Sequence, residues 1–334
     1  MATIYDVARR AGVSAATVSR VFSGRANVSQ HRVEAVRRAA EELGFVANRN
    51  ARRLRTSSSE IIAMMVPDIE NPFFTLMTRA VEDVARAAGY SVMLCNTDED
   101  PAREQEYLRV AVGDPVAGIV VVPSANIRLD LALDHGVPVV CVDRHAVGYD
   151  VDAVVADNLD SSQAAANLLF DAGYRRIACV SGPEGVETAD QRMAGFCRAV
   201  RQRTGADPDP VLCRRSPYHL EGGEAAAREL MSLPQPPDAI FAANNRLAAG
   251  ALRVLNDLDA LPPKVGVVSF GGMPLILLAP LGVIVTHLPA RELGRRAAEL
   301  LLERIDGLSS TARSITLPVV IGGEGSGLGM LYGE

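Results

Sequence analysis

From residue 61 onward the chain repeats one pattern, an apolar run followed by a helical stretch and another apolar run, at intervals of about thirty residues. The apolar runs fall at 61–66, 91–95, 118–122, 137–142, 177–180, 239–242, 265–269 and 283–286. Helical stretches lie between them at 76–88, 103–112, 162–172, 191–204, 224–231 and 246–258. Such alternation predicts an α/β fold with doubly wound parallel sheets. The continuous Val/Ile runs fit strands covered on both faces. Eight strands are too many for one small sheet, so the pattern predicts two lobes. The chain is predicted to cross between them near Asp157–Asn158 and to return near 287–289. A helix over 291–305 then falls back on the first lobe.

The first sixty residues differ. They hold eleven arginines against five acidic residues, a net charge of +6, while the rest of the 334-residue chain carries −12. A basic head on an acidic body points to a polyanion-binding module attached to a larger domain. A chance cluster on a solvated face gives the same count, so the local pattern has to decide. Thr3-Ile4-Tyr5-Asp6 reads as a capping box opening a helix that carries Ile4, Val7, Ala8 and Ala11 inward and stops at Gly12. Ser14 caps a second helix after a turn of only three residues, with Val18, Val21 and Phe22 inward. A third helix fits 29–43, with Val33, Val36, Ala40 and Leu43 on one face. Two helices joined by a tight turn and backed by a third make a helix-turn-helix unit, whose second helix enters the DNA major groove. A generic helical hairpin shares the geometry; the charge asymmetry favours DNA.

Ile4-Tyr5-Asp6-Val7-Ala8, Ala11-Gly12-Val13-Ser14, Thr17-Val18-Ser19-Arg20-Val21 and the run from Val28-Ser29 to Leu43-Gly44-Phe45 closely resemble the headpiece of the LacI/GalR family of bacterial transcription regulators. The likeness continues more loosely to about residue 320. It implies three domains: a headpiece at 1–46, a hinge helix and linker at 47–59, and an effector-binding and dimerisation domain at 60–334. The last is periplasmic-binding-protein-like, with lobes at about 60–157 plus 289–320 and about 158–288. The residues expected to meet DNA are Thr3, Tyr5, Ser14, Ala15, Ala16, Thr17, Arg20, Arg25, Asn27, Ser29 and His31, with Ala51, Leu54 and Arg55 of the hinge. Leu54 occupies the position of the family's minor-groove wedge.

The same resemblance marks an effector cleft at the carboxyl ends of the strands, where open α/β sheets bind ligands. Phe73 and Phe74 are placed to cover a ligand or to pack in the core. Thr188 and Arg192 match the loop whose arginine grips the effector, and Arg192 offers a planar donor fork. Tyr218 is expected to be an aromatic platform. Ser124, Asp143-Arg144, Asp157-Asn158 and Asn244 match other lining positions. The chain departs from the family where Asn245 and Gly271 replace usual aspartates, and Met273 to Leu278 is unusually apolar. These departures predict a less anionic cleft and an effector that is less hydroxylated, or negatively charged to suit Arg192.

No G-x-S-x-G, Walker loop or H-E-x-x-H is present, and the five histidines are dispersed. The expectation is therefore a regulator, not an enzyme, with no cofactor and no metal. The five cysteines are scattered, without a C-x-x-C pair, and read as reduced thiols of a cytoplasmic protein. No secretory leader or membrane-spanning run is apparent. The expected partners are double-stranded operator DNA, a sugar-like or anionic metabolite, and a second copy of the chain, since no leucine heptads follow the body to build a tetramer. A binding or transport protein of the same two-lobed type is the alternative, and the basic head counts against it.

Overall fold

The structure is a computed structural model that describes residues 2–22, 28–44, 59–114, 116–272, 282–308 and 310–322. Arg25, Asn27, Ala51, Leu54, Arg55 and the apolar run from Met273 lie outside the described residues. The chain divides into two compact units, one ending at Ser59 and one beginning at Glu60.

The first unit is helical: α1 (Ile4–Ala11), α2 (Ala15–Phe22) and α3 (Gln30–Glu42). Its caps are local and follow the sequence. The Asp6 amide donates to Thr3 Oγ1 at 3.3 Å, and the Thr3 amide donates to Asp6 Oδ2 at 2.9 Å, closing the capping box. Gly12 ends α1 at φ 66°, a conformation that costs a side-chain-bearing residue energy. Ser14 Oγ accepts the Thr17 amide at 3.2 Å. Val7, Ala8, Val18, Val36, Ala39 and Ala40 form the core, with Val21 packed against it. Leu43, expected inward, is 36% exposed, because α3 stops at Glu42 and the chain turns away through Gly44. Ser29 precedes α3 but makes no side-chain cap bond.

The second unit holds two six-stranded sheets. In chain order its elements are β1 (Ile61–Val66), α4 (Pro72–Ala87), β2 (Ser91–Asn96), α5 (Pro101–Gly113), β3 (Gly118–Val121), α6 (Asp130–Asp134), β4 (Val139–Val142) and β5 (Asp152–Ala156). There follow α7 (Leu159–Asp171), β6 (Ile177–Ser181), α8 (Glu187–Thr204), β7 (Cys213–Arg215), α9 (Leu220–Met231), β8 (Ala239–Ala242), α10 (Asn245–Asp257), β9 (Gly266–Ser269) and β10 (Val283–His287). The last are α11 (Ala290–Ile305), β11 (Ser314–Leu317) and β12 (Val320–Gly322). The first sheet runs β11-β5-β4-β3-β1-β2, all parallel. The second runs β12-β10-β9-β8-β6-β7, parallel except for the β10–β12 pair. Helices cover both faces, and each sheet has an apolar core on either side.

The chain passes between the sheets after β5, after β10 and after β11. The third passage was not visible in the sequence. Strands β11 and β12 are short, each includes exposed residues, and neither makes a continuous apolar run. Strands β5 and β7 also escaped, since each is brief and carries charge: Asp152 in one, two arginines in the other. No helix among the described residues is long and apolar enough to cross a membrane. All five cysteines are free, and burial pushes the Cys95 thiol up to about 11 and that of Cys141 to about 12.

Asp152 explains how the late segment is tied to the first sheet. It is buried at the start of β5, and Arg304 of α11 reaches its carboxylate through Nε at 2.9 Å and Nη2 at 2.8 Å. The Arg313 amide adds a bond at 2.8 Å and its guanidinium one at 3.2 Å. Burial pushes the Asp152 carboxyl up, but these bonds outweigh it and hold the group at about 2. Asp152→Ala is expected to cost about 3 kcal/mol, the low end for breaking a buried pair, because the arginine heads reach solvent. Urea unfolding of parent and variant measures it. The depressed folded-state value places the pH sensitivity below the ordinary value near 3.8: stability from this group is present above that and lost as pH falls toward 2. A variant within 0.5 kcal/mol of the parent, at roughly the scatter of neutral surface changes, would contradict the tie.

Candidate functional site

On the headpiece, the outer side of α2 presents Ala16 and Arg20 one turn apart, both exposed, while Val18 points into the core. Ala15 and Thr17 are half-buried. Small side chains at the start of the helix allow close approach to a groove floor, and the arginine has the reach and fork for a guanine edge. Thr3, Tyr5, Ser14, Ser29 and His31 are exposed around this helix unit. Two of them also serve the fold: Thr3 caps α1, and Ser14 caps α2 while its hydroxyl lies 2.9 Å from Thr17 Oγ1. Tyr5 is 70% exposed, a large apolar surface to leave in water without a partner.

In the two-lobed unit a cleft of about 540 Å³ opens at the carboxyl ends of both sheets. Loops after β1, β2 and β4 supply one wall, and loops after β6, β7, β8, β9 and β10 the other. Of the residues expected to hold an effector, Phe73, Phe74, Thr188, Arg192, Tyr218, Asn244 and Gly271 line it. Phe73 and Phe74 pack edge to face with ring centroids 5.0 Å apart; Phe74 is buried, and Phe73 is the more accessible ring. Ser124 is not among the lining residues. Its amide and hydroxyl both donate to Glu104, at 2.9 and 2.8 Å, so its polar groups are committed to holding that buried carboxylate.

Arg192 is 4% exposed and rigidly held. Its Nε donates to Asn158 Oδ1 and its Nη1 to the Ala243 carbonyl, each at 2.8 Å, and its guanidinium lies 4.5 Å from the Phe270 ring centroid. Burial pulls its pKa down, opposed by Tyr218 and Asp143. Asn158, named from sequence as a lining residue, thus acts by orienting Arg192. Asn244 caps α10, accepting the Leu247 amide at 2.8 Å. Gly271 adopts φ 105°, and its amide donates to Thr286 Oγ1 at 2.8 Å. Tyr218 packs against Gly182, where any side chain would strike the ring.

Two pairings at the cleft were not read from the sequence. Glu99 follows Asp98 in a pair of left-handed residues, at φ 53° and 56°, and that turn brings its carboxylate to Arg144. The pair is bidentate, Nη1 to Oε2 at 2.9 Å and Nη2 to Oε1 at 2.6 Å. Glu99 lies in an acidic run before Pro101 and resembles any helix start. Asn71 and Asn245 exchange side-chain hydrogen bonds across the cleft, at 3.1 and 3.4 Å, and Asn245 also donates to the Gly272 carbonyl at 3.1 Å. Nothing in a sequence couples residues this far apart.

Four buried polar atoms on residues that line the cleft have no hydrogen-bond partner within 3.5 Å: Asp143 Oδ1, Arg144 Nε, Tyr218 Oη and Arg246 Nε. Asp143 is held at φ 69°. Burial pushes its carboxyl up, and Arg144, with Nε 3.6 Å from Oδ2, opposes the shift. Unpaired buried groups cost free energy unless something satisfies them. Together they leave one acceptor, two guanidinium donors and a hydroxyl unsatisfied beside the cleft. Asp68, Glu70, Asp98, Glu99 and Asp143 line the cleft beside Arg144, Arg192 and Arg246. The carboxylates come from the first lobe, where the sequence departures do not reach.

Residues 3–48 match the family described as bacterial regulatory proteins, lacI family, and residues 59–321 match the periplasmic binding proteins and sugar binding domain of LacI family. The ribose operon repressor of Halalkalibacterium halodurans is 33% identical over 92% of this chain and 91% of its own. The structure of a transcriptional regulator CelR–cellobiose complex aligns at TM-score 0.73 and 27% identity, covering 98% of this chain and all of the other. A LacI family regulator from Enterococcus faecium with bound ribose aligns at TM-score 0.70 and 26% identity, over 79% of this chain and 97% of that one. Helical headpiece, two-sheet body and interlobe cleft all agree with these matches, and the chain belongs to the LacI family of bacterial transcription regulators.

Proposed function

We infer that the protein is a cytoplasmic homodimeric repressor whose affinity for operator DNA is set by a neutral, hydroxyl-rich effector in the cleft. The four unpartnered atoms on Asp143, Arg144, Tyr218 and Arg246 carry this reading. A carboxylate oxygen accepts from a hydroxyl, a guanidinium Nε donates to one, and the Tyr218 hydroxyl does either. Phe73 and Tyr218 offer apolar faces to a ring. An anion is disfavoured on two counts. The lining carboxylates outnumber the guanidiniums, and two of the Arg192 nitrogens and both terminal nitrogens of Arg144 already have acceptors. In this reading residues 1–46 read the operator, 47–59 form the hinge, and 60–334 bind effector and partner subunit.

A thermal-shift series tests the effector class. D-ribose, cellobiose and other neutral sugars are run beside their phosphorylated and carboxylated counterparts. A ligand that binds only the folded state stabilises by about 2.7 kcal/mol at a hundredfold excess over Kd. The expected result is a rise in Tm with at least one neutral sugar and none with its charged counterpart. A larger rise with the anionic compound would overturn the class.

A further inference from the structure

Besides the Asn71–Asn245 pair and the Arg246–Glu70 contact at 3.3 Å, the lobes meet at a third polar point. His145 lies on the loop after β4. Its amide donates to Glu187 Oε2 at 2.6 Å, its Nδ1 lies 2.9 Å from Glu187 Oε1, and its Nε2 lies 2.9 Å from Ser314 Oγ on β11. His145 and Ser314 belong to the first lobe, whereas Glu187 opens α8 of the second. Thr188 and Arg192, both lining the cleft, follow on the same helix. The bridge therefore fixes where the start of α8 stands against the opposite wall.

The ring chemistry allows two states of the bridge. Nδ1 faces a carboxylate and must carry a proton, while the Ser314 hydroxyl can donate to a bare Nε2 or accept from a protonated one. Both ring states keep both partners, but only the imidazolium adds a full charge opposite Glu187. Of the three lobe-to-lobe contacts, an amide pair and an arginine–glutamate pair keep their charge near neutrality.

We propose that His145 is a positioning residue of the effector cleft, clamping Glu187 and the start of α8 to the first lobe most firmly when protonated, so that holding the lobes together takes up a proton. The groups around the ring agree. The hydrogen bond that His145 Nδ1 donates to Glu187 raises the His145 pKa above its usual 6.5, against the pull of burial. Burial pushes Glu187 up, yet its bonds to His145 bring it below the ordinary carboxylate value. Gln191 of α8, which donates to Glu187 Oε1 at 3.0 Å, and Ser314 of β11 are neutral. Asp143 and Arg144, on the loop that carries His145, act on Glu187 with opposite sign. A raised value in the bridged state means the clamp is complete below pH 6.5 and weakens as pH rises through the bridged-state pKa. Each unit of separation between bridged and unbridged values corresponds to a tenfold preference.

Ring ¹⁵N titration of the full-length protein without effector tests this directly, with the His145 signal assigned by its loss in His145→Gln. The midpoint is expected above 6.5 and is expected to fall toward it in Glu187→Gln. Small-angle scattering from pH 5.5 to 8.5 should show the parent opening as pH rises and Glu187→Gln showing no such trend. A midpoint at or below 6.5, a midpoint indifferent to Glu187→Gln, or a parent whose lobe spacing ignores pH would each overturn the proposal. The consequence for effector affinity rests on the cleft being the effector site, and D-ribose is the probe for that arm. Its Kd is expected to rise severalfold across the titration in the parent and to stay level in His145→Gln. Failure of ribose to bind at any pH would count against the effector reading alone, because the titration decides the clamp without it.

Discussion

Arg192→Ala is expected to abolish the effector's influence on operator affinity while leaving affinity without effector close to that of the parent. Arg192 sits in the two-lobed unit, anchored to Asn158 and the Ala243 carbonyl and stacked on Phe270. No DNA contact is removed with it. A ligand shifts an equilibrium only through its different affinity for two states, and the response disappears when that difference does. Family couplings of this kind are of the order of 1–3 kcal/mol, so the lost response is roughly 5- to 150-fold in operator Kd. The substitution also strips the donors from two buried acceptors, at about 1–3 kcal/mol for an unsatisfied group, so a lower Tm is expected with it. Arg192→Lys should not rescue, since an ammonium lacks the fork that reaches both acceptors while stacking. Titrating the sugar found by thermal shift into labelled operator complex decides the matter. A variant that still responds at the parent's ligand concentration would remove Arg192 from the effector site.

The second large effect belongs to the headpiece. Arg20→Ala is expected to weaken operator binding by about 1–3 kcal/mol and to relax preference at one base pair in each half-site. The residue is exposed on α2, one turn beyond Ala16, on the side of the helix away from the core. Its loss should also leave the headpiece folded, because Val7, Val18 and Val36 hold the core without it. Binding measured on a set of operators with single base changes separates the two outcomes. Weakening that is equal on every sequence, with preference intact, would assign Arg20 to phosphate. That contact also carries a smaller salt slope, by about one per lost phosphate.

What could be read from the sequence follows from the range of the interactions involved. Thr3 with Asp6, Gly12 and Ser14 with Thr17 act within a single turn, so residue types at fixed spacing revealed them. The buried strands announced themselves as apolar runs, and in an open α/β sheet the loops after them fall at the ligand cleft. Phe73, Arg192 and Tyr218, on or just beyond such loops, line that cleft. Strands β11 and β12 were missed because each is only three or four residues long and is interrupted by exposed positions. Ser124 was misplaced because its partner, Glu104, lies on a helix two elements earlier. Glu99 depends on two consecutive left-handed residues that carry no glycine to mark them. The Asn71–Asn245 exchange exists only once two separately folded lobes face each other.

The order of the strands has a consequence for biosynthesis. The first sheet ends at β11 and is covered by α11, yet both are made after every strand of the second sheet except β12. A ribosome therefore releases the headpiece first, then an incomplete first lobe, then nearly all of the second. Leu293, Ala297 and Leu301 of α11 belong to the same core as Ile62, Met64 and Val120. Until they emerge, that face of the nascent sheet is covered only in part, by α4, and Asp152 waits for Arg304 and Arg313. The lobe begun earliest is finished only after nearly all of the other has been made. The cleft is thus assembled only when translation is nearly over, and a DNA-reading module exists before the sensor that governs it.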